Sequence, residues 1–147
     1  MKRAALLMLL AVGLLPAAPA DAAGDHLHWF KKGQCTRYAY QKRPDIVDEG
    51  YRQHHFLHWD AWEWAPHARD SGFPVNRKPR KGDIAVWQRN VGGAKSKGHL
   101  AYVRSVTAKG KVKIAEVNWN GKHTTTYRTL SRSYAKKLQF IHRLSAK

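Results

Sequence analysis

HLAYVRSVTAKGKVKIAEVNW, residues 99–119, is the stretch whose reading decides the fold. Two runs carrying Val, Ile, Tyr and Trp flank a turn segment with Lys109-Gly110. They predict a hairpin of two antiparallel strands, 99–106 and 112–119. Alternate side chains of a strand share a face. His99, Ala101, Val103 and Ser105 therefore form one set, and Val112, Ile114, Glu116 and Asn118 another. Whether the two sets meet depends on the parity of the connecting loop. A loop of two or four residues puts Asn118 opposite Ala101 and Glu116 opposite Val103, which makes Asn118 the diagonal neighbour of His99. An odd loop without a bulge would put the sets on opposite faces.

Working outward, IAVW (84–87), TTTYRTL (124–130) and LQFIHR (138–143) extend the hairpin to a five-stranded antiparallel meander. CTRYAYQKR (35–43) reads as a two-turn helix that begins at Cys35 and stops at Pro44. DAWEWAPHARDSG (60–72) is a second helix, with Asp60 and Glu63 spaced for a capping box and Gly72 as its stop. Pro66 inside it implies a kink or a late start. DIVDEGYRQHHFLH (45–58) reads as loop with one helical turn. FPVNRKPRKGD (73–83) and QRNVGGAKSKG (88–98) read as connections. Helices first and strands after make an α+β domain, with N-terminal helices packed on a sheet of five to six antiparallel strands.

Met1-Lys2-Arg3, the apolar run 4–15 and the small residues around Ala20 and Ala22 predict a secretory signal peptide over 1–22. The apolar run is too short to span a bilayer, and no transmembrane segment is expected after it. Residues 23–147 then form a single domain. The chain is 43% hydrophobic, and all six tryptophans lie beyond residue 22, which argues for a packed core in this domain. The formal charge is +17, spread over Lys31-Lys32, residues 77–81 and Lys136-Lys137. Such a balance suits an anionic partner. No nucleic-acid-binding motif accompanies it, so no nucleic acid is expected.

Cys35 is the sole cysteine. In an exported chain an odd cysteine is an intermolecular bridge, an inert buried thiol or a reactive one. A helix start favours the thiolate. Nine histidines supply possible bases. His99 stands out because it follows Gly98, ends a Gly/Lys/Ser loop and opens a strand. A nucleophile, a base and a polar orienter can thus be assembled from Cys35, His99 and either Glu116 or Asn118. His54 and His58 have the i,i+4 spacing of a metal pair, but no carboxylate or second cysteine accompanies them, and no metal or cofactor is expected. Trp87 and Trp119 are expected to pack, with one of them bordering the cleft.

The blocks GQCTRYA (33–39), WAPHARDSGFPV (64–75), PRKGDIAVWQ (79–88), GHLAYVRSV (98–106) and VKIAEVNWNG (112–121) follow in order over nearly the whole mature chain. Together they resemble the CHAP family, the cysteine, histidine-dependent amidohydrolases and peptidases related to papain-like and NlpC-type enzymes. The resemblance implies a papain-like fold with Cys35 as nucleophile and His99 as general base. Glu116 or Asn118 would orient the histidine. The backbone N–H of Cys35, with a donor near Gln34, would form the oxyanion hole, and Trp119 would line the substrate cleft. Leu100 departs from the β-branched residue usual at its position, and DIVDEG lacks the alternating acids of a calcium loop. The implied function is that of a monomeric, secreted or periplasmic cysteine hydrolase cutting amide bonds in bacterial peptidoglycan. Its basic surface would meet anionic wall or envelope polymers. The alternative is a non-catalytic basic envelope protein that binds anionic polymer, lipid or nucleic acid.

Overall fold

The computed structural model describes residues 26–57 and 59–145. The predicted signal peptide and His58 lie outside the described residues. The chain is α+β, with four α-helices and a six-stranded antiparallel sheet among the described residues. Helices α1 (Cys35–Lys42), α2 (Pro44–His54) and α3 (Trp64–Asp70) come first. The strands follow as β1 (Val75–Asn76), β2 (Ile84–Trp87), β3 (His99–Val106), β4 (Val112–Val117), β5 (Thr125–Leu130) and β6 (Gln139–Ile141), with α4 (Arg132–Ala135) between the last two.

The segment expected to be mostly loop forms the longest helix among the described residues. Pro44 opens α2 at a position that needs no N–H donor, and Asp45 lies in its first turn. Ile46, Val47 and Gly50 face the core. Gly50 argues against a helix on propensity, yet a Cβ there would lie 2.8 Å from the Trp59 ring. Close packing on that indole overrides the local preference. Between α1 and α2 stands Arg43, fully buried. Its guanidinium donates to Asp45, to the carbonyl of Gly82 at 3.3 Å and to that of His142 at 3.2 Å, so it ties the helical corner to the sheet.

Upstream of α3, the expected capping box is present between Asp60 and Glu63. It closes a 3-10 turn, Ala61–Glu63, and the α-helix proper starts at Trp64. Pro66 thus falls in the first helical turn, where no intrahelical donor is required. This is the late start that the proline implied.

The sheet order is β1-β6-β2-β3-β4-β5. The meander holds from β2 to β5 and then breaks. Helix α4, capped by the Ser131 hydroxyl, lies between β5 and β6, and β6 pairs between β1 and β2. Strand β1 is only two residues long and arises inside the segment read as a connection. Both faces of the sheet are covered. One carries the helices, with Ile46, Trp64, Ile84, Leu100 and Ile141 in a shared core. The other packs Trp87, Val103, Ile114, Leu138 and Phe140 beneath α4 and the 88–98 loop. IAVW is therefore buried at all four positions.

The central hairpin meets the parity condition by a different route. Its loop, 107–111, is odd, and near it Val106 pairs with Val112 and Ser105 with Lys113. A bulge at Arg104 then shifts the register, so that Val103 pairs with Ile114 and Ala101 with Glu116. On the cleft side of the bulge the two predicted face sets coincide, with Glu116 two residues nearer to His99 than expected, whereas beyond it the sets part, Ser105 lying opposite Lys113 and Val112 opposite Val106.

We expect Gly50→Ala to lower stability by about 1–3 kcal/mol through overpacking against Trp59, although alanine is favoured over glycine in a helix by about 1 kcal/mol. Urea unfolding measures this, and a raised midpoint would show that the contact yields freely.

Candidate active site

Helix α1 begins at Cys35 because the turn Lys31–Gln34 delivers the chain there. Gly33 adopts φ 77° within that turn, its carbonyl accepts from His123 Nδ1 at 2.9 Å, and a Cβ would meet the His123 side chain at 2.8 Å. Gln34 is the N-cap residue, but its side chain makes no cap. Its Oε1 accepts instead from Asn118 Nδ2 at 2.8 Å. The first-turn N–H groups of α1 are left without a side-chain partner beside the thiol, a setting that favours negative charge.

His99 is brought to the thiol by β3. Gly98 before it has φ 71°, and a Cβ there would lie 2.4 Å from the carbonyl oxygen of Trp87. Only glycine allows the chain to enter β3 so close to β2. The imidazole is buried and sits edge-on to two indoles, Trp87 at 5.3 Å and Trp119 at 4.8 Å between ring centroids. Its Nε2 donates to Glu116 Oε2 at 2.8 Å, and Cys35 hydrogen-bonds to the same ring. With Nε2 engaged by the carboxylate, Nδ1 is the nitrogen that remains for the thiol.

Glu116 is fully buried. Its second partner is Arg128 on β5, which donates from Nε to Oε1 and from Nη2 to Oε2, the latter at 2.9 Å. The Arg128 guanidinium lies 3.9 Å from the centre of the Trp119 ring, so the indole packs against both the arginine and the histidine. Burial works against charge on both members of the His99–Glu116 pair, but their partners outweigh it. Cys35 and Glu116 hold the His99 pKa above its ordinary value, and His99 and Arg128 hold Glu116 below the usual carboxylate range. A thiol, an imidazole that favours its protonated form and an ionised carboxylate thus stand in sequence. These are the parts that a nucleophilic cysteine requires.

Gln34, Cys35, His99, Asn118 and Trp119 line one cleft of about 980 Å³, walled further by Trp29, Trp59, Lys31, Lys95 and Lys97. All six residues singled out from the sequence therefore come together, with Glu116 behind His99. Asn118 does not take the part open to it in the sequence. It adopts φ 64° and holds Gln34, while Glu116 holds His99. Arg128 is the residue that sequence reasoning missed. Its signal was positional: it lies two residues from Thr126, the partner of Glu116, on the same face of β5. Of the two histidines with metal-pair spacing, His54 donates through Nε2 to the Asp70 carbonyl at 3.0 Å and stacks on Phe56.

The family model of the CHAP domain matches residues 25–118. The chain belongs to the CHAP family. Staphylococcal secretory antigen SsaA of Staphylococcus epidermidis is 32% identical over 114 residues, which cover 77% of this chain and 40% of that protein. The secretory antigen ssaA2 of Staphylococcus aureus is 33% identical over 114 residues, covering 77% and 38%. This CHAP chain therefore matches about two fifths of those relatives' length. Among solved structures it is similar to an N-acetylmuramoyl-L-alanine amidase from Staphylococcus aureus, with a TM-score of 0.63 and 24% identity over 85% of this chain and 37% of that one. It is also similar to Ly7917, solved with the hydrolyzing product of MDP, with a TM-score of 0.57 and 19% identity over 74% and 53%. At these identities the likeness to the two structures is one of fold.

Two measurements check the electrostatics. In NMR titrations His99 is expected to lose its proton above the ordinary histidine value of about 6.5. Glu116→Gln should bring that titration down, because it removes the carboxylate that favours imidazolium. A His99 that titrates at or below the ordinary value would contradict the arrangement. Arg128→Gln leaves the buried carboxylate one partner short and is expected to cost about 3 kcal/mol at neutral pH. An unchanged urea midpoint would show that the clamp is dispensable.

Proposed function

We propose that this chain is a secreted cysteine hydrolase that cleaves amide bonds in bacterial peptidoglycan. The observation that carries the reading is the line of hydrogen bonds from Cys35 through His99 to Glu116 at the wall of an open cleft. Membership in the CHAP family, the secretory names of the relatives and the amidase among the structural neighbours support it.

In the proposed reaction the Cys35 thiolate attacks the amide carbonyl, and the developing oxyanion is met by the Cys35 backbone N–H. The Gln34 carboxamide, whose oxygen is occupied by Asn118, presents its N–H₂ as the second donor. His99, protonated through Nδ1, gives its proton to the departing amine as the C–N bond breaks and a thioester forms. A water, deprotonated by His99, then attacks the thioester, which releases the carboxylic acid and returns the thiol. Glu116 keeps the proton on Nε2 throughout and stabilises the imidazolium. Export across the cytoplasmic membrane would bring the enzyme to its substrate.

The test is digestion of purified sacculi by the mature protein under reducing conditions, followed by mass spectrometry of the released fragments. Wild type should generate new amino and carboxyl ends, whose masses name the bond. Cys35→Ala should generate none. Asn118→Ala should lower kcat by about 10²-fold if it holds an oxyanion donor in place. No release from sacculi of several chemotypes would refute the enzyme reading and leave a basic binding protein.

A further inference from the structure

The helix that carries the nucleophile continues from it in a stripe whose other residues no step of the reaction uses. Cys35, Tyr38 and Lys42 lie at i, i+3 and i+7 on α1, which places them on one face over a length of about 10 Å. That helix packs across β3 and β4. Lys42 Nζ lies over the Tyr38 ring at 5.3 Å and over the Tyr102 ring at 5.9 Å. Across the sheet, Tyr102, Ala115 and Tyr127 stand in register on β3, β4 and β5. Ala115, between the two tyrosines, is buried. Arg104, the bulged residue of β3, crosses from there and sets its guanidinium 4.7 Å from the centre of the Tyr127 ring. Tyr127 is 65% exposed.

The hydroxyls of Tyr38, Tyr102 and Tyr127 lie close enough for each of the latter two, with Arg104, to act electrostatically on Tyr38. None of the three hydrogen-bonds within the described residues, and neither Arg104 nor Lys42 has a carboxylate partner there. The elements that build this surface contribute one acid, Glu116, and it is buried on the opposite face of β4. The surface is thus a set of hydroxyl donors and two cations set against ring faces, without a carboxylate partner among the described residues. Its chemistry fits a ligand that bears carboxylates and hydroxyls.

We propose that this surface, formed by Tyr38, Lys42, Tyr102, Arg104 and Tyr127 over Ala115, binds the carboxylate-bearing peptidoglycan strand where it runs on from the cleft. Charge complementarity and continuity argue for that occupant. The stripe starts at the nucleophile, and the floor strand β4 runs from this surface to Asn118 in the cleft, so one polymer can occupy both. The inference rests on the reading of the cleft as a peptidoglycan-cutting site.

The test compares binding of the Cys35→Ala protein to sacculi stripped of phosphodiester polymers, with and without the further changes Lys42→Gln, Arg104→Gln and Tyr127→Ala. All three residues lie outside the catalytic set. Affinity should fall about tenfold, which is about 1.4 kcal/mol. A control with the same loss of charge, Lys78→Gln with Lys81→Gln in the segment flanking β1, should leave it nearly unchanged. In the otherwise wild-type protein, the triple variant should cut a short soluble muropeptide that fills only the cleft as fast as wild type does, and cut sacculi more slowly. An equal loss in the control would overturn the proposal in favour of unspecific charge. A loss seen only on sacculi that retain phosphodiester polymers would overturn it in favour of a different anion. If wild type cuts neither substrate while the triple variant still loses binding, the reading of the cleft falls and the binding surface stands.

Discussion

A carboxylate with no access to water must be paired or neutralised, and Glu116 is such a group. Much of this structure follows from how it is satisfied. His99 takes one oxygen and Arg128 takes both, so three strands, β3, β4 and β5, are tied together through one side chain. The pairing also decides protonation. Arginine cannot give up its proton, and its charge holds Glu116 anionic even in a buried setting. An anionic Glu116 in turn keeps a proton on His99. The electrostatic state of the cleft thus rests on Cys35 and His99 at its wall and on an arginine behind it that the cleft itself does not display.

The thiol reaches this system from the other half of the fold. Helix α1 lies over β3 and β4 with its N-terminus at the cleft, and its first-turn donors are left open because the cap residue is diverted to Asn118. A conventional cap would have satisfied one of those donors and turned Gln34 away. Arg43 locks the far end of the helix to the sheet through carbonyls of Gly82 and His142. Both ends of α1 are thus positioned by polar contacts, while its middle is held by Ala39 and Tyr40 in the helical core.

The parts legible in the sequence are those governed by local rules. The strands of the central hairpin, the start of α1 at Cys35 and the Asp60–Glu63 box all follow from periodicity, proline placement and capping chemistry. What was not legible depends on partners distant in sequence. Gly50 discourages a helix until Trp59 is seen against it. Val75 and Asn76 become a strand only because Ile141 and Phe140 pair with them. The return of β6 to the far side of β2 cannot be read from a chain whose strands otherwise follow in order. Asn118 and Glu116 were equivalent on paper, since either could face His99. The register that separates them is set by a bulge, which has no sequence signature in RSV. Arg128 was one more basic residue in a basic chain until its neighbour across β4 was known.

That bulge limits how this part of the protein can change over evolutionary time. The odd loop and the extra residue at Arg104 each turn the hairpin by one position, and their effects cancel at the cleft. A single residue gained or lost in β3 between His99 and the bulge, or in β4 between Val112 and Glu116, would rotate His99 away from Glu116, whereas the loop can change length without disturbing the pairing beside it. Length variation in homologous hairpins should therefore concentrate in the 107–111 loop and spare the strands.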